Sequence, residues 1–194
     1  MDFVKKIHEI VESCVENYKD METELKSISN SLKKGDITPK AANTRRTELR
    51  EKKSELYAKA RSEIRQAQSD FKAAVDKASL IDGSMNNADA AIFQSGITLT
   101  SKQFENIVER NKHNPFVVGL ARKYLNDHKD FTATMPLDYD QIVKNYDAFA
   151  EAASGVVADD LSSIRLALFL NGNVDPEGVD LISGDGEGDS GTPI

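Results

Sequence analysis

Tryptophan is absent from this chain, cysteine occurs once, at Cys14, and aromatic residues make up only 7 % of the 194. A single cysteine excludes an intrachain disulfide framework and leaves the redox compartment open, with a reduced cytosol as the default. Hydrophobic residues total 39 %, too few for one thick core. That shortage points to thin helical layers with much solvated surface. No apolar run approaches the ~20 residues of a membrane span. The start, Met1-Asp2-Phe3-Val4-Lys5-Lys6, lacks a basic segment followed by an apolar block, so no secretory signal is expected. A Gly-rich phosphate loop, a Ser-His-Asp signature and a dinucleotide fingerprint are also missing.

Lys and Arg are absent from Asn171 to Ile194, which holds Asp175, Glu177, Asp180, Asp185, Glu187 and Asp189. The net charge of −7 therefore divides unevenly, as −1 over residues 1–34, +3 over 36–82, −3 over 83–170 and −6 over 171–194. A nearly neutral body argues against nucleic-acid binding driven by clustered positive charge. The second helix (below) is the one mildly basic partner the chain offers its own tail.

What is present in strength is a heptad. Val4, Ile7, Val11, Cys14, Tyr18, Met21, Leu25, Ile28 and Leu32 alternate spacings of 3 and 4, which returns each side chain to one stripe of a helix. Lys5, Lys6, Glu9, Glu12, Glu16 and Asp20 occupy the other faces. The pattern predicts a helix from about Asp2 to Lys34, stopped by Gly35 after two lysines that suit a helix C-terminus. Thr38-Pro39 restarts a helix, with Thr38 as cap and Pro39 at the first helical position. It should run to about Leu80 with a stripe of Ala42, Leu49, Leu56, Ala60, Ile64, Ala67, Phe71, Ala74, Ala78 and Ile81, interrupted by Lys53. Its small seam residues predict a tight antiparallel hairpin about Gly35–Thr38. Arg45, Arg46, Lys52 and Lys53 alternate with Glu48, Glu51 and Glu55, spaced to form ion pairs along the helix.

Asp82-Gly83-Ser84 marks the expected boundary. Residues 83–171 read as a small domain of short helices. One spans Asn86 to Gln94. Thr100 and Gln103 form a capping box for the next, with Leu99 and Phe104 as its hydrophobic staple. Asn114-Pro115 opens another, and Met135-Pro136 breaks the chain before a segment starting at Asp138 with Ile142, Tyr146, Phe149 and Ala150. Val156 to Phe169 continue the helical pattern, with Gly155 a candidate kink. From 172 to 194 the Gly/Asp-rich composition predicts a flexible acidic tail, in which Val179, Leu181, Ile182 and Ile194 are candidate docking elements. The expected fold class is all-α: residues 1–82 a long coiled-coil hairpin, 83–171 a small helical domain, 172–194 the tail.

The chemistry-bearing residues read as structural. His8, His113 and His128 lack metal-ligand spacing. Cys14 falls on the stripe and acts there as a small hydrophobe. The run Asp185 to Asp189 begins like a calcium loop but has Ser190 at its sixth position and no twelfth-position Glu, which excludes an EF-hand. Asp138 and Asp140, and Asp159-Asp160, suit early helical turns better than acid–base work. No catalytic residue, metal or cofactor is expected, and the basic side of the second helix reads as a salt-bridged solvated face.

A charged N-terminal coiled coil, a helical middle and a Gly/Asp-rich tail resemble the virion-assembly proteins of tailed phages, notably capsid scaffolding and head-associated proteins. Ser95 through Arg110 to Asn114-Pro115 looks like segments of prophage structural proteins. Scaffolding proteins place a basic helix near the C-terminus, whereas this chain ends acidic. The resemblance implies a nonenzymatic structural or assembly factor in the host cytoplasm or the virion, whose partners are its own copies or other capsid subunits, without nucleic acid or membrane. The stripe Val4, Ile7, Val11, Tyr18, Met21, Leu25, Ile28 and Leu32 is the candidate self-association surface. Either it seals within its own hairpin or it pairs with another copy, and both hold if hairpins pair into a bundle. Leu161, Ile164, Leu168 and Phe169 are the candidate partner-binding residues. The alternative is a helical inhibitor or regulator of one protein, with the tail in a basic groove. Deletion of 172–194 separates them: a regulator loses salt-sensitive binding of its target in a titration, and an assembly factor assembles unchanged.

Overall fold

The computed structural model describes residues 2–129, 131–158, 169, 176–179 and 182. Among these the secondary structure is all helical. Helices α1 (Phe3–Lys34) and α2 (Pro39–Ala78) are followed by a 3₁₀ turn (Gly83–Met85) and by α3 (Ala88–Gln94), α4 (Ser101–Arg110), α5 (Pro115–Asp127) and α6 (Tyr139–Ala158). The chain forms two compact units. A hairpin unit takes Asp2–Asp70 and Tyr146–Pro176, and a helical unit takes Phe71–Asn145 and Glu177–Ile194. Thus the exchange falls at Phe71, inside α2, rather than at Asp82-Gly83-Ser84, and residues after Tyr146 return to the hairpin.

Helix α1 begins where Asp2 accepts a hydrogen bond from the Lys5 amide at 2.9 Å. It ends where Gly35 adopts φ +79° and its N–H reaches the Leu32 carbonyl, while Asp36 N–H reaches that of Ser31. A left-handed residue that lets two amides satisfy the last carbonyls is the glycine-dependent way to end a helix. Thr38 Oγ1 accepts from the Ala41 amide at 3.2 Å, so α2 starts as the Thr-Pro pair predicts.

The two helices form the antiparallel coiled-coil hairpin. Lys6 Nζ lies 2.8 Å from Asp70 Oδ2, the Tyr18 and Tyr57 rings stack at 6.5 Å, and Arg46 Nη2 donates to Ser29 Oγ at 3.3 Å. Each advance along α1 is a retreat along α2, with a stable register. Burial follows the heptad: Ile7, Val11, Cys14, Tyr18 and Ile28 are buried, facing a stripe with Ala42, Leu49, Ala60, Ile64 and Ala67 buried. Lys53, expected to interrupt α2's stripe, instead sets its ammonium 4.6 Å from the Tyr18 ring centre and 5.4 Å from that of Tyr57. The aliphatic stem packs while the charge meets the negative faces of two rings. The last member of the expected stripe, Ile81, lies past the helix end and is exposed.

From Tyr146 onward α6 completes the hairpin unit. Tyr146 is fully buried; its hydroxyl donates to the Phe3 carbonyl at 3.1 Å, and its ring meets Phe3 edge-on. Gln68 Nε2 donates to Asp147 Oδ1 at 3.0 Å. His8 packs against both Phe149 and Phe169, at 5.5 and 5.2 Å, and those two rings stack on each other at 5.2 Å.

The helical unit closes on Phe93, Phe104, Tyr124 and Phe131, with ring centres 5.3–5.8 Å apart. The Thr100–Gln103 capping box is fully formed, and Leu99 and Phe104 are buried in one cluster. Asn87 caps α3 and Asn114 caps α5. Val179, in the segment expected to be tail, is buried, and Asn145 Nδ2 donates to the Glu177 carbonyl at 3.1 Å.

Replacing Gly35 by alanine tests the hairpin's turn. A Cβ there meets no atom within 4 Å, so the cost is conformational alone. Thermal unfolding should show a loss of about 1 kcal/mol, roughly 2–4 °C in Tm for a chain of this size.

Candidate functional site

The stripe expected to mediate self-association is packed largely within its own chain. Ile7 and Val11 are fully buried, and Tyr18 and Ile28 are buried at 9 % and 3 % exposure. Val4, Met21 and Leu32 are half-buried, and Leu25 is 38 % exposed. Two helices alone give a stripe too few neighbours to close it on both sides, so the packing loosens between Tyr18 and Ile28. Of the candidate partner-binding residues, Leu161, Ile164 and Leu168 lie outside the described residues. Phe169 is buried against Phe149 and His8, which makes it part of the hairpin's own packing.

Charge along the hairpin is polarised. Residues 2–24 carry a net −4. Between Lys26 and Lys53 nine basic side chains meet only three acids, Asp36, Glu48 and Glu51, a net of +6. The predicted salt-bridged face does not form. Ion pairs within 4 Å join Lys5–Glu9, Lys6–Asp70, Lys59–Glu63, Arg110–Asp89 and Lys112–Glu109, and among the described residues none joins two charges between Lys26 and Glu55. The reason is energetic: an exposed i,i+4 pair is worth about 0.3–0.5 kcal/mol, comparable with the entropy of holding two long side chains together.

In the helical unit the strongest polar feature is a closed network. Asp89 accepts two bonds from Arg110, from Nε at 2.7 Å and Nη2 at 2.5 Å, and a third from Asn111 Nδ2 at 2.6 Å. Asn111, buried, also donates to the Ile107 carbonyl and accepts from Asn87 Nδ2. Asn114 Nδ2 donates to the Met85 carbonyl at 2.9 Å. The Arg110 guanidinium holds the Asp89 carboxyl below its ordinary range, and Arg110 is held above its own by the same bonds. Both carboxylate oxygens of Asp89 are thus committed to joining α3 to α4. Sequence reading missed this network because its members are 21–24 residues apart. The Asn114 cap ahead of Pro115 was its one visible signal.

Two concavities border the extended segment Thr134–Leu137. One, of about 470 Å³, is rimmed by Glu105, Glu109 and Lys112. The other, of about 210 Å³, is lined by Ile81, Val118, Leu137 and Ile142, with Arg122 at its edge donating to the Pro136 carbonyl. Neither brings a nucleophile to a base. Among the described residues no group of three or more His, Cys, Asp or Glu is placed to hold a metal ion, and no helix is long and apolar enough to cross a membrane. Asp138, read as capping an early turn, accepts the Gln141 amide at 2.7 Å; Asp159 and Asp160 lie outside the described residues. His128 caps α5 and stacks on Tyr124 at 4.1 Å. No family model, curated protein or solved structure matches the chain.

Cys14 is 2 % exposed. Burial, and secondarily the nearby Glu63 carboxylate, push its thiol up to about 11 from an ordinary 9.0. A thiol so held is protonated at neutral pH and inert as a nucleophile. Burial raises the Tyr146 phenol in the same direction, with Asp70, Asp147 and Asp2 adding to it. Both groups stabilise the fold with their protons on. Below about pH 9 that contribution is complete; above it the unfolded chain ionises while the folded chain does not, so stability falls as pH rises. Unfolding free energies from urea titrations at about pH 8 to 10.5 should fall, above about pH 9, on the order of 1 kcal/mol per pH unit per ionising group. A thiol reagent should modify Cys14 at neutral pH only at the rate of unfolding.

Proposed function

We propose that the chain is a nonenzymatic protein that acts by protein–protein association, of the structural or assembly kind found in tailed-phage virions, as a scaffolding or head-associated factor. Its partners are its own copies or other virion subunits, and its place is the host cytoplasm or the virion. The observation that carries the reading is the state of the hairpin's turn-proximal half. Leu25 is exposed on a stripe whose neighbours Met21 and Leu32 are half-buried, and among the described residues the charges around it form no ion pair. A helical surface with an apolar centre and uncommitted charges of both signs is built for another helical surface. The commitment of Asp89, Arg110 and Cys14 to structure leaves the best-placed titratable groups without a chemical task, which supports a role in binding. Sedimentation velocity of the full chain in the tens of micromolar should show concentration-dependent association. A strict monomer throughout that range counts against the proposal.

A further inference from the structure

We infer that the second copy of this chain docks antiparallel on the turn-proximal half of the hairpin, about a two-fold axis that passes near Leu25 of α1 and Arg50 of α2. The inference rests on the association reading above and names its partner and its geometry.

The register places the axis. Tyr18 lies beside Tyr57 and Ser29 beside Arg46, so Leu25 is level with the turn of α2 around Arg50. At that level the apolar stripe is open, with Leu25 38 % exposed and Met21 and Leu56 half-buried.

Around the same level α2 presents Arg45, Glu48, Lys52 and Glu55, all exposed. Their spacings of 3, 4 and 3 put them on one face of the helix. Their signs run plus, minus, plus, minus. An identical helix laid antiparallel across Arg50 reads minus, plus, minus, plus, so Arg45 meets the second copy's Glu55 and Glu48 meets its Lys52. A parallel, in-register pairing would set like on like at every position. Among the described residues none of the four makes an ion pair, which leaves them to a partner. Charge on α1 favours the same direction, because antiparallel docking about this level lays Lys33 and Lys34 of one copy near Glu16 and Asp20 of the other. A two-fold axis makes each of these contacts twice and closes the assembly, and four helices bury a stripe that two leave open.

The test uses two charge variants of the full chain, one carrying Arg45→Glu with Lys52→Glu and the other Glu48→Lys with Glu55→Lys. All four positions are exposed, and circular dichroism checks that the helices persist. In sedimentation equilibrium each variant alone should bind itself about tenfold more weakly than the wild type, and an equimolar mixture should regain the wild-type affinity as a heterodimer. Leu25→Glu, on the other helix, should weaken association by at least as much and carries the test if a charge variant loses helix. Wild-type association should weaken between low and high salt. A zero-length carboxyl–amine cross-linker should join Glu16 or Asp20 to Lys33 or Lys34. Those pairs lie about 20 Å or more apart on one helix, so the link forms only between antiparallel copies. Variants that associate as tightly as the wild type, or a mixture no tighter than its components, overturn this geometry while association itself persists. A wild-type chain that never associates overturns the association reading as well.

Discussion

The fold depends on one constraint: the apolar stripe of α1 must be covered along a helix of about 48 Å by a chain with few large hydrophobic side chains to spare. Helix α2 covers it with alanines and a minority of larger residues, Leu49 and Ile64 among them. Small residues bury little area each, about 25 cal/mol per Å², so the hairpin needs help where the load is greatest. At its open end that help is the second half of α6, through the buried Tyr146 and its bond to the Phe3 carbonyl. Toward the turn the substitute is local: two tyrosines and the ammonium of Lys53. Leu25 is where neither device reaches.

The helical unit solves a different problem. Its helices are of 7, 10 and 13 residues, too short to be stable alone. They are held by caps that do double duty. Asn87 and Asn114 each close a helix N-terminus with one side-chain atom and bond another element with the other. Asp89 ties that arrangement to Arg110 and Asn111. Polar satisfaction here replaces apolar bulk, and the aromatic cluster around Phe104 supplies what core there is.

These two economies have a common consequence for function. Residues that sequence inspection singles out as chemical, Cys14, His8 and Asp138, are spent on packing and caps, and Asp89, which it passed over, is spent on a tie. What is unspent is surface: the charged stripe of α2 beside an exposed leucine. The mild basicity of α2, averaged over the helix, conceals a strongly polarised hairpin, and its alternating charges are uncommitted rather than mutually neutralised.

The sequence by itself determined the helices, their ends and the hairpin, because these are short-range matters. A 3–4 spacing, a Gly after two lysines and a Thr-Pro restart each act over a single turn. The same locality made the Thr100–Gln103 box and the Asn114 cap legible. Only the tertiary structure decided that Tyr146, Phe149 and Phe169 pack with Phe3 and His8, that Lys53 fits a seam it should break, and that Asp89 has its partner 21 residues away. Each depends on contacts between segments distant in the chain, whose energies no local spacing encodes. Leu25 shows the division within one residue. Its place on the stripe is a matter of periodicity, whereas its exposure is a matter of which helices are there to cover it.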